Sequence, residues 1–269
     1  MHAPLPSEDT TGLPRGLPWI ALGKTALFGH MGSRYFVVQR AYALLAALRE
    51  TDAEPPSALG AAQHAWLDAR LAASDARWKV VAASVSMTPM EVDLARPELE
   101  APPLYRRRFC LNVDQWDGFP LKRARLLQRL DAAGGAVLLS GDIHAGFATQ
   151  HTARTVEFTV PAVSSETLHA MSAEGARADA ENARTGMRMV EALPELLQAA
   201  TPAIRYVQTT RHGVGIATVE ADGFGMELFE LPQDRVGRDL YADPAAVLSD
   251  GQRVRFACDA ASRTLRRAD

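Results

Sequence analysis

The run AVLLS at Ala136–Ser140 most constrains the fold, because it is short, apolar and punctuated at both ends. Gly134 and Gly135 give a turn signal before it and Gly141 stops it, so it reads as a buried strand. Asp142, Ile143 and His144 come next. Side chains two apart on an extended backbone point to one side. The expectation is that Asp142 and His144 present a carboxylate oxygen and an imidazole nitrogen to one point, with Ile143 turned into the packing. By spacing alone this is either a hydrogen-bonded pair or part of a metal site, and the ligand types suit zinc, manganese or iron. Gly146 lets the chain turn away without covering that point.

Around this strand the chain reads as mixed helices and strands. Helices are expected over Val38–Glu50 and Leu59–Ala73, from apolar spacing on one face, with Ser57 as a cap of the second. Trp78–Met87 reads as a strand by its β-branched content and alternation. A helix, a Ser-Asp turn and a strand in succession suit an α/β layered domain. Leu121–Ala132 is an amphipathic helix and Arg154–Val160 an alternating strand. Ser164 and Ser165 are expected to cap the next helix. A polar, helix-leaning stretch follows over Ser172–Ala200, broken at Gly186 and Pro194. Strands are expected at Ile204–Thr210, Gly213–Glu220 and Phe224–Leu231, the last two joined by a hairpin at Ala221-Asp222-Gly223. Val254–Cys258 is a last strand, and the TLRRAD tail is expected to fray.

At 269 residues, 47% hydrophobic and 23% charged, the chain is of ordinary globular composition and ample for a sizeable core. A net charge of −3 with mixed signs gives no electrostatic case for nucleic acid or an anionic membrane. No apolar run is long enough to span a bilayer. Residues 1–36 read as an irregular, Pro- and Gly-rich leader with no hydrophobic core and no twin arginine; Lys24 and His30 there read as surface or capping groups. No export signal is read in the chain, which as written would be cytoplasmic. Members of the family it resembles (below) are often exported, so the sequence leaves the compartment open. Cys110 and Cys258, with no C-x-x-C spacing, read as two unpaired thiols rather than a disulfide. The basic run Arg106–Arg108 reads as a solvated loop or as a grip for a phosphate.

Several stretches together resemble one family. SGDIHAG, Ser140–Gly146, is similar to the late G-[DH]-x-H motif of calcineurin-like metallophosphoesterases, in the GD-x-H form of PhoD-like alkaline phosphatases. QHAWLDARLAASDARWKV ahead of it, the DQWDGFP stretch carrying Trp116 and Asp117, and VEFTVPAVSS after it resemble PhoD-like patterns in the family's order. IRYVQTTRHG resembles a later one and places His212 at a turn. The fold implied is α/β, part of a metallophosphoesterase-type sandwich of mixed β-sheets flanked by helices.

The function implied is a metal-dependent phosphoric ester hydrolase, a mono- or diesterase using metal-activated water. Asp142 and His144 would be metal ligands, His212 would orient substrate or protonate the leaving group, and Trp116 and Asp117 would lie against the substrate. The resemblance suggests calcium and iron, with Glu157 beside the site or under it. It starts near the family's midpoint, so residues 37–269 are expected to be the C-terminal half of the domain. The N-H-[DE] motif has no counterpart, since the only asparagines are Asn112 and Asn182, and the only Gly-Asp pair is Gly141-Asp142. The alternative is a non-catalytic half-domain that binds a partner chain or a phosphorylated ligand. It predicts an exposed apolar sheet edge or face, and leaves open a homodimer or an N-terminal partner chain.

Overall fold

The computed structural model describes residues 37–51, 56–101, 103–178, 180, 183–239 and 241–269. The expected leader, with Lys24 and His30, lies outside the described residues. A small antiparallel sheet comes first, its strands being β1 (Val37–Val38), β3 (Glu91–Asp93) and β4 (Arg108–Cys110) in the order β1-β4-β3. The helices α1 (Gln39–Arg49) and α2 (Ala61–Ala73) follow the spacing of their apolar residues.

The main body is two sheets face to face. The first has the order β2-β5-β7-β6-β8, formed by β2 (Val80–Ala82), β5 (Ala136–Ser140), β6 (Gly146–Gln150), β7 (Thr155–Thr159) and β8 (Ile204–Gln208). Strands β2, β5 and β7 run parallel, and β6 is antiparallel to both β7 and β8. The second sheet is antiparallel throughout, in the order β12-β11-β10-β9: β9 (Arg211–Val219), β10 (Gly223–Pro232), β11 (Gln252–Asp259) and β12 (Leu265–Arg267). Side-chain alternation divides β5 between two cores. Val137 joins Phe158, Phe224, Leu228 and Phe256 between the sheets. Ala136 and Leu138 face the other way, onto Leu126 and Leu130 of α3 (Pro120–Ala132) and onto Met87 and Trp116. Layers cover both faces of β5, which is why its sequence is a continuous apolar run rather than an alternating one.

Several expectations are corrected. The strand expected over Trp78–Met87 stops at Ala82. Beyond it the alternation of Val85, Met87 and Met90 with Ser86 and Thr88 imitates a strand, but those polar groups are buried and bonded to the sheet, as described below. Helix capping falls to Thr167, whose Oγ1 accepts from Ala170 N (3.2 Å) at the head of α4 (Leu168–Ala178), and not to Ser164 or Ser165. Gly186 does not break α5 (Ala183–Glu191); it is buried within it. Pro194 sits in the first turn of α6 (Leu193–Ala200), where a missing N–H costs nothing. The tail does not fray throughout, since Leu265–Arg267 pairs with Phe256–Cys258 of β11. Cys110 and Cys258 are both buried free thiols; burial pushes Cys258 up to about 11. Among the described residues no helix is long and apolar enough to cross a membrane.

Candidate active site

The carboxyl ends of β2, β5, β7 and β8 and the start of β6 lie at one end of the first sheet. Ligands of open α/β sheets gather at such an end. The turn after β5 carries the site. Asp142 and His144 both adopt left-handed backbone, with φ of 73° and 57°, rather than the extended form that spacing suggested. Ile143 is 3% exposed and packs with Ala145, Phe147 and Leu193. Asp142 is exposed and His144 half-buried. The burial pattern is the expected one, reached by a different backbone. Two successive left-handed excursions by residues with side chains are sparsely populated, and such strain concentrates at functional sites.

The His144 ring is oriented by its own chain. Nδ1 lies 2.5 Å from the Glu166 carbonyl oxygen. That oxygen can only accept, so Nδ1 carries a proton, and in the neutral tautomer that this selects the lone pair lies at Nε2. Fixing one ring nitrogen so that the other faces a ligand is the usual arrangement behind a metal-binding histidine. The loop that supplies Glu166 is stitched on both sides: Val160 N donates to Ser140 O (2.9 Å), Leu168 N to His144 O (2.8 Å), and Gly213 N to Ala162 O (3.1 Å). These bonds bring the start of β9, with His212, to the same end. His212 lies inside β9 rather than at a turn. It is 3% exposed, with Nδ1 buried and without a hydrogen-bond partner among the described residues.

Glu157 lies under the turn. It is fully buried and accepts from Met87 N (2.9 Å), Ser140 Oγ (2.6 Å), Thr88 Oγ1 (3.0 Å) and the His151 ring at Nε2 (2.7 Å). Burial pushes its carboxyl upward, but the bonds to His151, Ser140 and Met87 outweigh that and hold it below the usual carboxylate range. Ser140, two residues before Asp142, is thereby tied to the segment after β2. Sequence reading put Glu157 near the site but missed its partner His151; the signal was a second polar residue six positions earlier, at the other end of the β6–β7 turn.

Trp116 and Asp117 serve that same segment. They form a 3₁₀ turn with Gly118, and both are buried. Asp117 accepts from Met90 N (2.8 Å) and is ion-paired with Arg123. Trp116 packs between Met87 and Leu126 and lines an apolar cavity of about 340 Å³ beside β2. Gly118 has no room for a side chain, since a Cβ would stand 2.0 Å from the Val113 carbonyl oxygen. Gly118→Ala is expected to cost about 2 kcal/mol or more, from forced backbone displacement, which a urea unfolding series will measure.

A second buried carboxylate was also missed. Glu230 is 0% exposed, with both oxygens 2.8 Å from the Tyr206 hydroxyl, and a Cβ on Gly146 would lie 3.2 Å from it. The signal was its inward parity with Phe224, Met226 and Leu228 on β10. Burial raises its carboxyl, against the lowering effect of Tyr206, Arg211 and Arg267. Ionising such a group opposes folding, so its contribution is lost as pH rises above the ordinary value of 4.5. Glu230→Gln is therefore expected to gain stability relative to the parent as pH rises from 4 toward 8, read from denaturation midpoints.

Among the described residues no group of three or more His, Cys, Asp or Glu is placed to hold a metal ion. The comparisons bear on what Asp142 and His144 belong to. The family model described as "PhoD-like phosphatase" matches residues 19–228, which include all of β9 and the first part of β10. No curated protein matches the chain. A solved structure titled "Structure of PhoD" shares its fold, with a TM-score of 0.51 and 17% sequence identity, over 78% of this chain. The match spans 35% of that structure's chain, about a third of its length. With the family model matched over well more than half of its residues, the chain belongs to the PhoD-like phosphatase family.

Proposed function

We propose that the chain contributes Asp142 and His144 to the metal centre of a phosphoric ester hydrolase. The observation that carries the reading is the turn itself: two left-handed residues expose a carboxylate and a histidine whose Nδ1–H is committed to Glu166, leaving Nε2 for a cation. The donor set fits divalent or trivalent ions; calcium and iron are the ions proposed, with zinc and manganese as alternatives. When bound, such ions lower the pKa of a coordinated water and neutralise the oxygens of the ester.

The chain's own groups have separable roles in this reading. Ser140 and Glu157 fix the base of the turn, and Glu166 fixes the His144 tautomer. His212, held in the wall by β9, is the group that donates a proton to the departing alcohol. Asp117 and Trp116 act on the substrate side by holding the 86–90 segment in place. The substrate is a phosphate mono- or diester.

The test is metal content after loading with calcium and iron and desalting, in the parent, Asp142→Asn and His144→Ala. Retained ions that fall by at least about 100-fold in affinity in both variants support the reading. Ions retained equally by all three proteins would place the metal elsewhere and sink it.

A further inference from the structure

A phosphate ester presents anionic oxygens whose spacing a guanidinium fork matches. The basic run Arg106–Arg108 is the source that sequence offers, but two of its members are committed elsewhere. Arg106 Nε donates to the Ala101 carbonyl (2.8 Å), and Arg108 faces Glu91 (3.7 Å).

The register of the second sheet brings a different arginine to the end that carries Asp142 and His144. Gly213 pairs with Glu230 and Gly215 with Leu228, and Leu228 belongs to the inter-sheet core. Paired residues share a face and alternate residues return to it, so Gly215, Gly213 and Arg211 take the inward face of β9. Contacts across the gap fix the level of each. A Cβ on Gly215 would stand 2.9 Å from Val160 Cγ2, and Val160 N is bonded to Ser140 O. One step along, Gly213 N is bonded to Ala162 O. At that level a Cβ on Gly146 would stand 3.2 Å from Oε1 of Glu230, the partner of Gly213. Two residues beyond Gly213 comes Arg211, and two beyond Gly146 comes His144. The two therefore reach the same rim of the sandwich.

Arg211 is half-buried, and its guanidinium has no hydrogen bond or ion pair among the described residues. Glu230 is not its partner, since both carboxyl oxygens lie on the Tyr206 hydroxyl. Burial is the main influence on the Glu230 carboxyl and raises it; against that act Tyr206 and then the charges of Arg211 and Arg267. The Arg211 head group thus lies within electrostatic reach of the space between the sheets. Arg267 is already held by Asp269 (2.7 Å). A cation drawn partly out of water without a counter-ion is costly, and an anionic ligand offsets that cost.

We propose that Arg211 holds two non-bridging oxygens of the substrate phosphate in its guanidinium fork. The assignment rests on the hydrolase reading of Asp142 and His144 and adds to it the group that seats the phosphate. Two parallel N–H···O bonds fix the orientation of the phosphate as well as its position. Arginine keeps its charge at any pH at which the chain is folded, so this grip does not titrate.

Calorimetric binding of inorganic phosphate to the full chain, with and without added calcium and iron, tests the proposal. Arg211→Gln is expected to weaken phosphate binding by about 30-fold, the effect of losing a charge-assisted pair. Its retained metal is expected to equal the parent's, because a guanidinium offers no lone pair to an ion. Arg211→Lys is expected to recover only part of the loss, since an ammonium supplies charge without the fork. Arg154→Gln, at an exposed arginine in the β6–β7 turn at the opposite end of the sheet, is expected to bind phosphate as the parent does. Urea midpoints of both Arg211 variants are expected to match the parent. Phosphate binding indifferent to Arg211→Gln overturns the proposal. So does an equal loss in Arg154→Gln, a loss of metal together with phosphate, or a parent that binds no phosphate in either state. A parent that retains no metal but binds phosphate through Arg211 keeps this assignment and removes the metal reading, so the two fail separately.

Discussion

The Asp142→Gly chain is expected to fold at least as stably as the parent and to lose the metal binding and ester hydrolysis proposed above by at least about 100-fold. Asp142 holds a φ of 73°, a left-handed conformation that glycine adopts without steric cost. Relief of that strain is worth up to about 1 kcal/mol, partly offset by the greater freedom of glycine in the unfolded chain. The carboxylate itself adds nothing to the fold, being exposed with no hydrogen-bond partner among the described residues. Most substitutions at a structural position reduce stability. Function and stability moving in opposite directions would mark the residue as held for chemistry. Urea unfolding beside metal analysis and a chromogenic phosphodiester assay reads both; a clear loss of stability in Asp142→Gly would show that the turn is structural instead.

Removal of the Glu157 carboxylate is expected to have the largest effect on folding, about 3–5 kcal/mol for Glu157→Ala, because its buried donors are left without an acceptor. Met87 N, Ser140, Thr88 and His151 all bond it, so the loss spreads from β5 to the segment after β2. Glu157→Gln keeps the volume and one acceptor but sets an NH₂ against donors, and is expected to recover only part of the loss. The pH dependence has a definite direction. The folded carboxyl lies below its ordinary value of 4.5, so its stabilisation is present above that value. It disappears as pH falls through the depressed folded value. A parent that loses stability below pH 4.5 faster than Glu157→Gln does will show this. Parallel curves for the two proteins would mean that the bonds to Glu157 do not depend on its charge.

Local sequence determined a good deal of this protein. The helices at Gln39–Arg49 and Pro120–Ala132 follow from apolar spacing, and the hairpin around Asp222 from its turn residues. Strand β5 and the polar turn after it follow from an apolar run between glycines, and the order of the motifs pointed to the family that the match over residues 19–228 shows. Tertiary structure decided what local pattern leaves ambiguous. Ser86 and Thr88 alternate with apolar neighbours as a strand does, but a buried glutamate 70 residues away claims the backbone of that segment, so it leaves the sheet. His212 reads as a turn residue because Gly213 follows it, yet the glycine is there for close approach, its missing Cβ falling 2.3 Å from the Phe229 carbonyl, and the strand runs straight through. The tail LRR reads as a charged end and becomes a strand because β11 offers it an edge. Strand membership depends on partners distant in sequence, whereas a helix bonds within itself, and that difference separates what was legible from what was not.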